Sequence, residues 1–336
     1  MSNLKEDKYN KLVEKISEVF EQARANGQSA LNIEMLKGYW LVGRYIVEFE
    51  QDGKIKAEYG KQLIDNLSKD LRRKYGKGFS RTNLFNIRKF YALFPTENMV
   101  SEKLSWSHYI ELLSISDDLE RNFYYQQSLL ERWTVSELQR QKETSLFQRI
   151  ALSKDKEEIL KLSKQGNQIL SHDDLIRNPY IFEFAGLPEN NLFTETELET
   201  KLLNNLQSFL LELGKGFAFI GRQYRITLDN THYYVDLVFY HYILKCFVLI
   251  DLKTKKVKHH DISQMTLYLN YFTKEENNED DNEPIGIILT KEHNEVMVEY
   301  ATATLSNKLS VAKYQLYLPD KKLLENKMKE IMNKKE

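Results

Sequence analysis

Residues 231–258 constrain the fold more than any other part of the chain. They contain two runs rich in aromatic and β-branched residues, 233–240 and 245–252, and neither run contains Gly or Pro, which predicts two adjacent β-strands. Each strand carries one carboxylate among apolar residues, Asp236 in the first and Asp251 in the second. Charged side chains are rarely buried unless they are paired or hold a metal. If the strands pair as a hairpin, we expect the two acids to share one polar site.

Lys253 extends this pattern because it follows Asp251 by two residues. Side chains alternate between the two faces of a strand, so Asp251 and Lys253 point to the same side. Acid-x-Lys triplets also occur in polar surroundings, as at Asp320 and Lys322, so the triplet alone carries no information. The triplet at Asp251 differs because it ends an apolar strand and a second acidic strand precedes it.

Two acids and an amine suit the hydrolysis of phosphodiester bonds. Mg²⁺ or Mn²⁺ prefers oxygen ligands, and a bound cation stabilises the charge that develops on the phosphate. We predict Asp236 and Asp251 as metal ligands. Lys253 would orient or deprotonate the attacking water, or neutralise the phosphate. Glu199 lies along the apolar stripe of a predicted helix, 195–213, and we predict it as the third site carboxylate; a stripe-edge Glu that reaches water is the alternative.

The next predicted helix, 261–272, supplies two further candidates. Gln264 and Tyr268 are four residues apart and therefore share a helix face. From that face they could contact the substrate phosphate or the water shell of the metal. His259 and His260 precede the helix, but adjacent histidines in a polar loop lack the spacing of metal ligands, so we assign no transition-metal site to them.

Amphipathic helices account for the amino-terminal half of the chain. Apolar residues recur at helical spacing in residues 9–25, 33–49 and 61–74. A glycine-containing turn, 76–78, then precedes a fourth helix that Ser80 caps and that runs to residue 94. Helix, short turn and helix is the outline of a helix-turn-helix.

This pair of helices is basic. Residues 61–89 include nine basic and two acidic residues, whereas the whole chain is balanced, with 48 Lys and Arg against 49 Asp and Glu. A local positive excess attracts phosphate backbones of any sequence, although many basic helix faces are only solvated. The residues predicted to contact nucleic acid are Arg72, Arg73, Lys77, Arg81, Thr82, Asn83, Asn86 and Lys89.

The carboxy-terminal half predicts an α/β domain with a mixed central sheet flanked by helices, because helices and strands alternate there. Further strands are predicted at 217–224, 285–289 and 314–318, and a further helix at 296–305. A charged segment and a short proline-containing segment mark the boundary. The predicted organisation is a helical domain at 1–155, a linker at 156–191 and the α/β domain at 192–336.

Sequence features also bear on the compartment. Cys246 is the only cysteine, so no internal disulfide can form, which fits a reducing compartment. The amino terminus lacks the apolar core of a signal peptide, and no apolar run reaches the length of a membrane span. We expect a cytoplasmic protein with no membrane partner.

The site residues resemble those of the PD-(D/E)xK nuclease superfamily, and Gln264 with Tyr268 is similar to the QxxxY element of its RecB-like members. The segments GYWLVGRYI, GFSRTNLFNIRKFY, NPYIFEFAGLP and YYVDLVFYH resemble the YhcG-like bacterial family, and the similarity covers nearly the whole chain. This resemblance implies a restriction-endonuclease-like fold, Mg²⁺-dependent cleavage of DNA and a winged-helix-like, DNA-binding amino-terminal domain. Val235 replaces the proline of the superfamily's name, and Asp251 stands where YhcG-like proteins usually have glutamate.

We favour a metal-dependent deoxyribonuclease with its own DNA-targeting domain. The alternative is a DNA-binding or assembly subunit that keeps the nuclease fold but is catalytically weak or inactive. One site of this kind cuts one strand, so cleavage of both strands of a duplex would require a homodimer.

Overall fold

A computed structural model describes residues 9–19, 31–52, 57–96, 99–177, 179–188, 193–292 and 308–333. The contacts between Cα atoms divide the chain into two compact units, Met1–Leu138 and Gln139–Glu336. We call them the amino-terminal unit and the carboxy-terminal unit.

The amino-terminal unit is helical, as predicted. Its described residues contain no β-strand, so they show no wing beside the helices. The helices are α1 (9–19), α2 (Leu31–Asp52), α3 (Ala57–Tyr75), α4 (Arg81–Leu93), α5 (Trp106–Leu113) and α6 (Asp118–Glu131), and α7 (Val135–Glu143) crosses into the next unit.

Close packing of α2 against α4 depends on Gly43. A Cβ atom at this position would lie 2.5 Å from the carbonyl oxygen of Ile87, which is far inside van der Waals contact. The predicted cap of α4 is also confirmed, because the Ser80 hydroxyl accepts a hydrogen bond of 3.2 Å from the backbone N–H of Asn83. A short 3₁₀ turn, Lys77–Phe79, joins α3 to α4.

The carboxy-terminal unit is built on one sheet of six strands, in the order β1-β6-β5-β4-β3-β2. Strands β1, β6, β5 and β4 are parallel, and β3 and β2 are antiparallel to their neighbours. The strands are β1 (Tyr180–Ile181), β2 (Phe217–Leu228), β3 (Thr231–His241), β4 (Cys246–Lys253), β5 (Ile285–Thr290) and β6 (Leu309–Gln315). The mixed sheet of the sequence prediction is therefore confirmed.

Helices flank this sheet on both faces. Alternate residues of β4 belong to different apolar clusters, Ile250 to one and Leu249 to the other, as the alternation of side chains requires. Leu202 packs in the first cluster and Met265 in the second. The helices of this unit are α8 (Leu146–Ala151), α9 (Lys156–Gln165), α10 (His172–Leu175), α11 (Glu195–Asn204), α12 (Leu206–Leu213), α13 (His259–Tyr271) and α14 (Lys321–Asn333).

Several predicted boundaries differ from the structure. The division into units falls at Leu138 and not at residue 155, and the predicted linker contributes β1 to the sheet, because Tyr180 and Phe182 bury apolar rings in its core. The long helix predicted at 195–213 is two helices that meet at Asn205. The last predicted strand, 314–318, starts earlier, at Leu309.

The helix predicted at 296–305 lies outside the described residues. Among the helices of the ranges given above, none has both the length and the apolar character that a membrane span needs.

A buried ion-pair network explains why residues 139–155 belong to the carboxy-terminal unit. Glu212 is fully buried, and its carboxylate accepts hydrogen bonds from Arg149 Nη1 at 2.6 Å, from the backbone N–H of Ile181 at 2.9 Å and from Arg140 Nη1 at 3.3 Å. Burial alone would raise the pKa of Glu212, but the charges of Arg149, Arg140 and Arg177 outweigh it, so the pKa is lowered. The network joins α7 and α8 to α12 and β1.

Candidate active site

The site forms where β3 and β4 diverge. Backbone pairing between these strands begins with Leu237 opposite Ile250. One residue before that pair, the Oδ2 atom of Asp236 accepts a hydrogen bond of 2.8 Å from the backbone N–H of Leu252. A side-chain carboxylate therefore takes the place of a backbone acceptor, and it comes to lie beside Asp251 of β4.

Asp251 and Lys253 form an ion pair at the end of β4. Asp251 is 4% exposed, and its Oδ2 atom lies 2.6 Å from the Nζ atom of Lys253. The Lys253 ammonium group is the partner of this oxygen, which accepts no further hydrogen bond from any described residue. A buried carboxylate with a single charged partner is costly to keep ionised, and Lys253 is the only cationic group that touches it among those residues.

Electrostatics at this pair follow from burial. Burial raises the pKa of Asp251 to about 7, with the nearby charge of Asp236 adding to the rise and Lys253 opposing it. For Lys253, burial acts to lower the pKa, but the charge of Asp251 prevails and the pKa is raised. Lys253 therefore carries its positive charge at neutral pH.

Glu199 lies on α11, and its contact with Asp236 is made by Gln223, a residue that the sequence does not single out. Glu199 is 4% exposed, and burial raises its pKa. The side-chain amide of Gln223, on β2, donates one hydrogen bond of 2.6 Å to Glu199 Oε2 and another of 3.0 Å to Asp236 Oδ1. The prediction that Glu199, rather than a surface position, supplies the third acid agrees with this geometry.

Gln264 and Tyr268 lie behind β3. The Tyr268 hydroxyl donates a hydrogen bond of 2.9 Å to the carbonyl of Tyr234 and accepts one of 2.7 Å from the amide of Gln264. Tyr268 is 0% exposed, and burial, followed by the charges of Asp251 and Asp236, raises its pKa to about 12. The ring thus supports the strand that carries Asp236, whereas direct contact of Tyr268 with substrate does not fit its burial.

The three carboxylates of the site suit a hard divalent cation, although hydrogen-bond donors and the Lys253 ammonium group contact their oxygen atoms in this structure. Across the ranges that the structure covers, no three His, Cys, Asp or Glu side chains are arranged to hold a metal ion as they stand. The Gln223 amide lies between Glu199 and Asp236, and Lys253 lies against Asp251. Carboxylate oxygens are nevertheless the preferred ligands of Mg²⁺ and Mn²⁺, and the three acids of this site supply them.

A run of lysines continues from the site. Lys255, Lys256 and Lys258 follow Lys253 closely in the chain. A cavity of 350 Å³ beside this segment is lined by Phe193, Thr254, Lys255, Lys256, Lys291 and Glu292. The segment that follows Lys253 in the chain is therefore mainly cationic.

Within the amino-terminal unit, the structure separates the predicted nucleic-acid contacts into two groups. Arg72, Arg73, Lys77 and Thr82 are exposed. Arg81 is exposed as well and pairs with Asp65 at 2.6 Å. These residues are accessible to a ligand.

Three other predicted contacts are less available. Asn83 donates to the carbonyl of Gly78 at 2.6 Å and accepts from the indole N–H of Trp106 at 3.0 Å. Lys89 is exposed, but its Nζ atom donates to the carbonyl of Leu113 at 2.6 Å, and Asn86 is half-buried. Asn83 and Lys89 therefore hold the helices together, a role that helix-face periodicity cannot reveal because it depends on α5.

The fold and the site are those of a protein in which a nuclease domain of the PDDEXK class follows a helical amino-terminal domain in the chain. The family described as "YhcG PDDEXK nuclease domain" matches residues 173–329, and the "DUF1016 N-terminal domain" matches residues 15–149. The chain is 35% identical to "Putative nuclease YhcG" of Escherichia coli (strain K12), over 95% of this chain and 93% of that protein. The chain belongs to the YhcG family, so the family prediction is confirmed.

A solved structure shows a more distant similarity. The crystal structure of a repair endonuclease from Pyrococcus abyssi aligns over 40% of this chain and 50% of that chain, with 19% identity and a TM-score of 0.27. This similarity is too low for a comparison of the two sites.

Proposed function

We propose that the protein is a metal-dependent endonuclease that hydrolyses DNA phosphodiester bonds, with Mg²⁺ or Mn²⁺ held by Asp236, Asp251 and Glu199. The observation that carries the proposal is the gathering of three carboxylates: Gln223 bridges Glu199 and Asp236, and the buried Asp251 lies beside Asp236 with its Oδ2 atom 2.6 Å from the Lys253 ammonium group. One ammonium group does not balance the charge of three acids, and a divalent cation would compensate for the rest. Membership of the YhcG family supplies the reaction class.

The side chains of the site would have different roles in the reaction. When bound, the metal supplies charge stabilisation at the phosphate and a more acidic water. The raised pKa of Lys253 keeps this side chain protonated, so we assign it charge stabilisation and orientation of the attacking water rather than proton abstraction. Tyr268 and Gln264 hold the β3 backbone behind Asp236.

Cationic surfaces in both units support a polyanionic substrate. The lysine-lined cavity lies next to the catalytic lysine in the chain, and Arg72 and Arg73 are exposed at the end of α3. Such groups bind phosphate backbones with little sequence preference. We therefore propose that the amino-terminal unit targets DNA and that the carboxy-terminal unit cuts it.

Two further parts of the proposal concern the setting of the reaction. We propose that the protein acts in the cytoplasm, where its single, buried Cys246 stays reduced. We also propose that two copies are needed when both strands of a duplex are cut. Nicking of supercoiled DNA at low protein concentration, with linear product only at higher concentration, is the expected behaviour.

A cleavage assay with matched variants tests the nuclease proposal. Asp251→Asn and Lys253→Met should each lower the rate of DNA cleavage in Mg²⁺ or Mn²⁺ by about 10²-fold or more. Asp320→Asn and Lys322→Met change an acid-x-Lys triplet of the same spacing at exposed positions, and they should leave the rate unchanged.

Equal cleavage by the wild type and the Asp251→Asn variant would refute the proposal. Binding of DNA by a wild-type protein that cleaves no substrate with either metal would instead support the alternative, a DNA-binding subunit that keeps the nuclease fold.

A further inference from the structure

Gln223 has an unusual backbone conformation for a strand residue. Its φ angle is 47°, in the left-handed region that non-glycine residues rarely adopt. The other non-glycine residues of the described sheet with positive φ, which are Asp229, Asn230 and Lys245, lie in the turns between strands. Gln223 alone among them lies within a strand, β2. Backbone strain of this kind is unfavourable, and it persists where the surroundings require it.

The register of the sheet places Gln223 opposite Asp236. Arg222 pairs with Leu237 and Tyr224 pairs with Val235, so the register is the same on both sides of Gln223. The register shift of β2 falls earlier, between Phe219 and Gly221, and local irregularities in strands redirect side chains and are common beside active sites.

The redirected side chain makes two contacts with the acids. Its amide nitrogen has two hydrogens, and the two hydrogen bonds go to different carboxylates, that of Glu199 at 2.6 Å and that of Asp236 at 3.0 Å. Gln223 is itself exposed. The amide therefore bridges two like charges from the open side of the site.

Backbone requirements alone do not explain a glutamine here. Glycine adopts positive φ without strain, so it would fit β2 at this position more easily. The exposed hydrogen bond to Asp236 contributes little to folding stability, because water competes for the same groups, whereas the bond to Glu199 reaches a buried carboxylate. The strain is therefore better explained by what the amide does to Glu199 and Asp236 than by what it adds to the fold.

We propose that Gln223 is a further metal-site residue with two orientations of its amide. In the metal-free protein the NH₂ group holds Glu199 and Asp236 together, and the carbonyl oxygen of the same amide turns toward a cation held by these acids. The inference rests on the proposed function, because it concerns the same metal. Rotation about the last torsion of a glutamine is nearly two-fold, and amide oxygens are hard ligands or hydrogen-bond acceptors for metal-bound water.

Charge dictates which orientation is favoured. Without a cation, a carbonyl oxygen turned inward would face two carboxylates, so the NH₂ orientation is preferred. A divalent cation between the acids reverses that preference. The two variants Gln223→Glu and Gln223→Met should therefore change cation affinity in opposite directions.

Titration calorimetry with MgCl₂ on the full chain tests this inference without any cleavage. Gln223→Glu should bind Mg²⁺ about tenfold more tightly than the wild type, and Gln223→Met about tenfold more weakly. In EDTA, Gln223→Glu should unfold at a lower temperature than the wild type, because a third carboxylate faces the other two, and Mg²⁺ should raise its unfolding temperature more than that of the wild type.

Two controls separate the amide from the backbone and from net charge. Gln223→Gly removes the amide and relieves the positive φ, so it should unfold at a higher temperature than Gln223→Met but bind Mg²⁺ equally weakly. Lys245→Gln changes the net charge by the same amount as Gln223→Glu, at another exposed residue with positive φ, 48°. It should leave the affinity unchanged.

The outcomes distinguish this inference from the proposed nuclease activity. If Gln223→Glu and Gln223→Met both weaken Mg²⁺ binding, or neither changes it, the amide has no role at the metal and the inference is refuted. A wild-type protein that binds Mg²⁺ with the expected dependence on Gln223 but cleaves no DNA would refute only the nuclease proposal.

Discussion

Replacing Asp251 with asparagine should change how stability depends on pH when no metal is bound. Burial raises the pKa of this carboxyl to about 7 in the folded protein, whereas its pKa in an unfolded chain is about 3.9. Between these values the folded protein holds a proton that the unfolded chain has lost. The free energy of unfolding of the wild type therefore falls as the pH rises through this window.

The size of the effect follows from the width of the window. Each pKa unit corresponds to about 1.4 kcal/mol, so the rise from pH 5 to pH 7 removes about 2–3 kcal/mol of stability through this one group. The amide introduced by Asp251→Asn does not titrate, so this contribution to the pH dependence is absent from the variant. Relative to the wild type, Asp251→Asn should therefore gain about 2–3 kcal/mol, or about 6 °C in unfolding temperature, between pH 5 and pH 8.

Thermal unfolding in EDTA, followed by far-ultraviolet circular dichroism, measures this difference. Trp40, Trp106 and Trp133 all lie in the amino-terminal unit, so their fluorescence provides a reference for that unit. Asp320→Asn, at an exposed carboxylate, is the matched control and should follow the wild type. If Asp251→Asn showed the same pH dependence as the wild type, the buried carboxyl would not be the group that titrates, and the reasoning would be wrong.

Three other expectations concern folding and DNA binding. Glu212→Gln leaves Arg149 buried without a charged partner and should lower the free energy of unfolding by about 3–5 kcal/mol, which urea unfolding measured by circular dichroism would test. Arg72→Gln with Arg73→Gln should weaken DNA binding and reduce its salt dependence by about one to two counterions without changing the unfolding temperature, as titrations at several salt concentrations would show. Asn83→Ala should lower the unfolding temperature instead, because its amide serves the fold; a salt-dependent loss of DNA binding in a fully stable Asn83→Ala protein would contradict this assignment.

Residue patterns were sufficient to predict which central residues of the candidate site come together. Strand alternation places Asp251 and Lys253 on one side, and helix periodicity places Glu199 on the apolar stripe, whereas the nearby Glu197 is exposed and is a capping residue at the start of α11. These inferences succeed because each depends on the geometry of one element. Contacts between elements could not be predicted from the sequence. Nothing in a polar strand segment indicates that Gln223 will adopt a positive φ angle and contact two acids.

Tertiary contacts also decide which buried acid has its charge compensated within the fold and which does not. Glu212 and Asp251 are both nearly inaccessible to water, yet their pKa values move in opposite directions. Three arginines and a backbone N–H surround Glu212 and lower its pKa, so its charge is satisfied within the fold. Asp251 has one lysine, a neighbouring acid and an oxygen that accepts no further hydrogen bond from the described residues, and its pKa is raised.

A buried acid whose charge is only partly compensated destabilises the metal-free protein. The strained backbone of Gln223 lies at the same site, because its side chain contacts Glu199 and Asp236. Unfavourable features that concentrate at one place are typical of functional sites, because a ligand can compensate for all of them at once. A divalent cation would pair the Asp251 oxygen and reduce the repulsion between Glu199 and Asp236. Mg²⁺ should therefore stabilise the wild-type carboxy-terminal unit and stabilise Asp251→Asn much less, which links the stability of the metal-free protein to the chemistry proposed for the site.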